Sequence, residues 1–156
     1  LAEGLEVALA DRMTWDDVAW LAGFGLPVIV KGILHPDDAR RAVEHGAAGV
    51  DVSNHGGRQL DTAIASLDAL PAIAEAVDRR VPVLMDGGVR RGTDVLIALA
   101  LGATAVGIGR PVLWGLAVNG EAGVGHVLDL LSAELELAMA LAGAPSVADL
   151  GADLVI

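Results

Sequence analysis

The chain has 156 residues, 54% hydrophobic and only 3% aromatic, with 10 Lys and Arg set against 21 Asp and Glu. That length suits one domain with a real core, expected over residues 1–156, while a formal net charge of −11 argues against any general affinity for nucleic acid or anionic lipid. Without cysteine there are no disulfides or thiolate metal sites, and no apolar run reaches the ~18 residues of a membrane span. A reducing cytoplasm is the expected setting. An anionic ligand, if one binds, needs a local basic pocket.

In chain order, Thr14 with Trp15, Asp16 and Asp17 reads as the N-cap of a short helix ending near Leu21. Residues 27–31 are rich in β-branched side chains and predict a first strand, ending in Lys31. Asp37 or a neighbour caps a helix running to His45, which Gly46 stops. Residues 48–53 predict a second strand, followed by a long loop over 54–65. Ser66 is expected to cap a helix to about Val77. Residues 81–85 predict a third strand, a helix runs from about Thr93 to Leu101, and residues 104–108 predict a fourth strand. The chain turns helical again after Pro111. In its last long helix, from about Gly120 to Ala142, Val124, Val127, Leu128, Leu131, Leu135 and Ala138 share one face.

Apolar strands joined by helices indicate an α/β fold with a parallel sheet covered by helices on one face. In such folds the working groups lie at the carboxyl ends of the strands. Those ends deliver Lys31; then Ser53, Asn54, His55 and Arg58; then Asp86, Gly87, Gly88, Val89 and Arg90; then Gly109, Arg110 and Pro111. Glycines at two adjacent turns, each followed by a helix and an arginine, fit a phosphate site. The same residues would also make tight turns with solvated arginines, and the shared chemistry of two neighbouring turns favours phosphate. His55 suits a proton acceptor and Arg58 a carboxylate anchor, although an exposed loop histidine has the same spacing. His35, His45 and His126 read as surface or capping residues, and the histidines lack metal-ligand spacing. Lys31 suits either a satisfied core rim or a cation beside a cofactor ring.

The runs Ser53-Asn54-His55-Gly56-Gly57-Arg58-Gln59-Leu60-Asp61 and Asp86-Gly87-Gly88-Val89-Arg90-Arg91-Gly92-Thr93-Asp94, with Gly109-Arg110-Pro111, resemble one family. It is the FMN-dependent α-hydroxy-acid oxidase and dehydrogenase family, with glycolate oxidase, lactate oxidase, lactate monooxygenase and mandelate dehydrogenase among its members. The resemblance implies the C-terminal half, strands five to eight, of a (β/α)8 TIM barrel. It also implies FMN as cofactor and an L-2-hydroxy acid of the lactate, glycolate or mandelate type as substrate. By the same resemblance His55 is the base, and Arg58 binds the substrate carboxylate. Lys31 and Ser53 contact the flavin, and Asp86, Gly87, Gly88, Val89, Arg90, Gly109 and Arg110 hold its ribityl chain and phosphate.

A complete barrel has eight strands in roughly 250 residues. The expected half would expose two open edges and a bare inner face. It is therefore expected to be a piece of a longer protein, beginning as it does at Leu1, or to close as a homo-oligomer. The alternative is a non-catalytic or degenerate half barrel that binds only FMN or phosphate. Tyrosine is absent, so substrate contacts of that kind would come from elsewhere. Asp51 departs from the aliphatic residue usual in the resembling family, and mid-strand it needs a partner.

Overall fold

The computed structural model describes residues 12–155. Helix α1, Trp15–Ala22, starts as expected at Thr14, whose N–H and hydroxyl both donate to the Asp17 carboxylate, at 2.6 and 3.0 Å. The repeating unit follows: β1 (Ile29–Ile33), α2 (Pro36–Glu44), β2 (Gly49–Val52), α3 (Ser66–Val77), β3 (Val83–Asp86), α4 (Gly92–Ala100) and β4 (Ala105–Gly107). A last helical stretch, α5, spans Arg110–Ala142.

All four strands are parallel and lie in the order β1-β2-β3-β4. Each crossover advances one place in the same direction. Right-handed connections then put α2, α3 and α4 on the same side of the sheet, leaving the other side bare among the described residues. The registers make the division explicit. Val50 lies beside Val83 and Val52 beside Met85 on the helix side, where all four are buried. Lys31, Asp51, Leu84 and Ala105 line up across the other side. Along β3 and β4, buried or half-buried residues alternate with more exposed ones, the period of a strand with one covered face. The core lies under the helices, where Leu70, Ile73 and Val77 of α3 meet Val50 and Val52.

Strand and helix ends shift by one or two residues from the sequence expectation, and three of the differences bear on the site or its supports. β1 begins two residues later and continues through Gly32 to Ile33, so Lys31 lies in mid-strand and not at its end. Gly32 takes φ +92 at a bulge that shifts the register between Lys31 and Ile33. Ser66 is the first residue of α3 and not its cap, a position held by Ala65. The cap of α2 is His35, whose Nδ1 accepts from the Asp37 N–H at 3.2 Å, with Pro36 at the first helical position.

The stretch α5 is two helices joined at Asn119 and Gly120, whose dihedrals are non-helical, so the second begins where the sequence places it. The two pack closely: a Cβ on Gly123 would fall 1.9 Å from the Gly115 carbonyl oxygen. The expected apolar face is only half-buried, and Leu128 is 47% exposed. The stretch is anchored at its far end by Glu134, whose Oε2 accepts the Gly92 N–H at 2.9 Å. A Cβ on Gly92 would lie 2.1 Å from the Leu135 nitrogen. Gly92→Ala is therefore expected to destabilise the fold by about 1–3 kcal/mol, as overpacking does, with a lower urea midpoint. An unchanged midpoint would mean that α5 does not hold α4 in place.

Candidate functional site

The carboxyl ends of the strands enclose an open cleft of about 250 Å³ lined by Lys31, His55, Arg58, residues 86–90 and residues 107–111. This is slightly below the ~300 Å³ at which small-molecule sites usually begin. The residues predicted for the site are thus gathered in one place, apart from Ser53, which lies directly beneath Lys31.

Ser53 is 1% exposed and forms the floor. Its hydroxyl accepts from Lys31 Nζ at 3.2 Å and from the His55 N–H at 3.1 Å, and it donates to Asp86. One donor and two acceptor sites are therefore all used. Lys31 Nζ also donates to Asp51 Oδ2 at 2.7 Å and to Asp86. The partner that Asp51 needed is the strand-one lysine. Partial burial works against the charged form of Lys31, but hydrogen bonds to Asp51 and Asp86 outweigh it and raise the ammonium above its ordinary value. Burial likewise opposes ionisation of Asp86, yet hydrogen bonds from Lys31 and Ser53 hold its carboxyl below the usual range.

His55 starts a 3-10 turn, His55–Gly57, and adopts φ +57, which is uncommon for a non-glycine residue. The ring lies beside the bulge at Gly32, where a Cβ would make an ordinary van der Waals contact with the imidazole Cε1 at 3.6 Å. The ring has no hydrogen-bond partner among the described residues. Arg58 is exposed and its Nε donates back to the His55 carbonyl at 3.2 Å.

The β3–α4 turn supplies the other wall. Gly87 and Gly88 take φ +96 and +82, conformations that glycine reaches without strain. Among the described residues the N–H groups of Gly87, Gly88, Val89 and Gly109 donate to nothing in the chain. A Cβ on Gly88 or Gly109 would meet open space. Val89 turns its side chain into the core, where it is 4% exposed, so only its backbone is available to a ligand. Arg90 lies over the Trp114 ring at 5.7 Å, and Arg110 Nη2 reaches the Gly56 carbonyl at 3.3 Å. Free N–H donors with two guanidinium groups nearby form a donor set suited to a phosphate dianion.

Three contributors, Asp94, Ser66 and Trp114, escape the sequence reading of the site. Asp94 shapes the turn by accepting from the Arg90 and Arg91 N–H groups at 2.8 and 2.9 Å, and its place in the first turn of α4 is the available signal. Ser66 is buried and takes the Asn54 N–H at 3.1 Å. A Cβ on Gly87 would come within 3.1 Å of both Asn54 Oδ1 and Ser66 Oγ, so this pair fixes the turn from behind. Trp114 beneath Arg90 has no sequence signal.

The family model described as FMN-dependent dehydrogenase matches residues 2–156. An L-lactate oxidase of Nostoc sp. is 63% identical over 143 residues, covering 91% of this chain and 39% of that protein. A solved Pediococcus acidilactici structure described as a lactate oxidase superposes with a TM-score of 0.91 at 51% identity, over 95% of this chain and 42% of that one. A mandelate oxidase solved with benzoyl-formic acid gives a TM-score of 0.85 at 52% identity, over 88% of this chain and 41% of that one. The chain thus spans about 40% of the length of the curated relatives it matches. It is a half barrel, as the sequence implied.

The Asp86 contacts carry a pH signature. A carboxyl held below its unfolded value contributes stability that is complete above that value and lost as pH falls through the folded one. Stability is expected to fall on acidification below about pH 4, with Asp86→Asn flattening that limb in denaturant titrations. An equally steep acid limb in the variant would remove Asp86 as its source.

Proposed function

Because the chain belongs to the FMN-dependent dehydrogenase family, we propose that its cleft holds FMN and serves the oxidation of an L-2-hydroxy acid to the 2-oxo acid. The observation that carries this reading is one cleft combining the free N–H groups of the β3–α4 turn, a fixed ammonium and an accessible imidazole. The likeness to a mandelate oxidase solved with benzoyl-formic acid, a 2-oxo acid, supports the substrate class.

In this reading the Gly87, Gly88, Val89 and Gly109 N–H groups, with Arg90 and Arg110, take the phosphate. Asp86 and Ser53 lie under the ribityl chain and ring edge, and Lys31 presents its ammonium to the ring. Bound FMN would supply the acceptor for a hydride equivalent from the substrate's C2. His55 takes the hydroxyl proton, and Arg58, swung off the His55 carbonyl, grips the carboxylate with two parallel hydrogen bonds.

The chain acts as a single half-barrel domain, and a cytoplasmic setting suits its lack of cysteine. The edges at β1 and β4 and the bare face call for a further four strands, from the rest of a longer protein or from a second copy. Ile29, 51% exposed on the edge strand, would be covered on closure.

A second reading has its own support: the unpartnered His55 ring suits a cradle that binds FMN without turning over. Visible spectra with added FMN, followed by anaerobic L-lactate, glycolate or mandelate, separate the two. Bleaching of bound flavin is expected for the enzyme, with His55→Ala slowing it about 10²–10⁴-fold while FMN stays bound. Bound flavin that no hydroxy acid bleaches would favour the cradle, and absence of binding would remove both. Sedimentation is expected to give a mass above one chain when nothing else closes the barrel. A monodisperse monomer that binds little apolar dye would oppose the need for closure.

A further inference from the structure

Asp51 lies within β2 on the bare side of the sheet, opposite Lys31 in register. The ammonium of Lys31 is already matched one to one by Asp86. Asp51 adds a second carboxylate to the same cation, so the cluster of Lys31, Asp51 and Asp86 carries a formal charge of −1. Stability does not account for this addition. Its side chain is only 16% exposed and its Oδ1 is buried with no hydrogen-bond partner among the described residues, an arrangement that weakens a fold. An aliphatic residue there would leave no unmet acceptor. What Asp51 contributes is therefore electrostatic, and it acts at the one ammonium that lines the cleft.

We propose that Asp51 is a positioning residue that tunes the cofactor: by sharing the Lys31 ammonium with Asp86, it keeps the reduction potential of the bound flavin low. The inference rests on the FMN reading above. A flavin ring facing Lys31 gains negative charge when it takes two electrons from the hydroxy acid. A free ammonium would stabilise that charge, and the second carboxylate offsets it. The ring then passes its electrons on more readily to the next acceptor. Asp51 also holds Nζ from the β2 side while Asp86 holds it from β3, so the ammonium is restrained between two strands.

The test is the two-electron midpoint potential of the FMN-loaded protein, measured against reference dyes, for the unsubstituted chain and four variants. Removing one full charge next to the ring is expected to move the reduction equilibrium about tenfold toward the reduced form. This is about 30 mV for a two-electron couple. Asp51→Asn, which keeps the side-chain shape, and Asp51→Leu should both show the rise. Asp51→Glu should restore the low potential, and Asp129→Asn, an exposed change on α5, should leave it unmoved. Normal FMN binding with an unmoved potential in the Asn and Leu variants would overturn this inference and leave the cofactor reading intact. So would an equal rise in Asp129→Asn. Failure of the unsubstituted protein to bind FMN would instead overturn the cofactor reading, and this inference with it.

Discussion

A parallel sheet wound in one direction governs this molecule. Strand order follows chain order, so each right-handed crossover deposits its helix on the same side. One face of the sheet is dry and packed by Val50, Val52, Val83 and Met85, and the other has no layer over it among the described residues. Charged residues stand inside strands on that face, and each needs a partner there. Lys31, Asp51 and Asp86 occupy three adjacent strands, where Lys31 bridges the two carboxylates. The site is a consequence of the winding: the carboxyl ends, the bare face and the turns that follow the strands all converge on one cleft.

The electrostatics work at two scales. The chain as a whole is strongly acidic, yet Lys31, Arg58, Arg90 and Arg110 all line one cleft. Each is restrained differently. Lys31 is ion-paired, Arg58 and Arg110 donate to carbonyls of the His55–Gly57 turn, and Arg90 rests on Trp114. Carbonyl and aromatic partners orient a guanidinium without cancelling its charge, so three of the four cations keep their attraction for an anion. The fourth is largely neutralised by carboxylates. An anionic group is thus drawn to the turns and not to the floor, and this sets the direction in which a phosphate-bearing ligand would lie.

Much of this was readable in the sequence because it rests on local rules. Strand-rich apolar runs, glycine stops and the Thr14 cap mark the elements, and the carboxyl-end rule points to residues that line one cleft. The misplacements have long-range causes. β1 extends past Lys31 because pairing with β2 and a glycine bulge carry it on, which no periodicity marks. Ser66 has the residue type of a cap, but its hydroxyl is committed to Asn54, twelve residues earlier. Asp51 stood out as an anomaly, and only the strand register reveals that Lys31 answers it. Leu128 has the spacing of a core residue and remains exposed because α5 leans on α4 and not on the sheet.

The half barrel also separates two demands that a single site must meet. Holding a phosphate requires donors and charge, and the turns after β3 and β4 carry both within this chain, pinned from behind by Asn54, Ser66 and Asp94. Proton transfer requires more, because an imidazole works only in the right tautomer and orientation. His55 has its backbone fixed by Ser53 and its ring without a hydrogen-bond partner among the described residues. In the proposed reading, groups that orient the ring would come from whatever covers the bare face. The groups that would hold the cofactor's phosphate are, in that reading, local to this half, whereas proton transfer would depend on closure. A chain of this kind can retain its ligand chemistry while its reactivity is set by what completes the barrel.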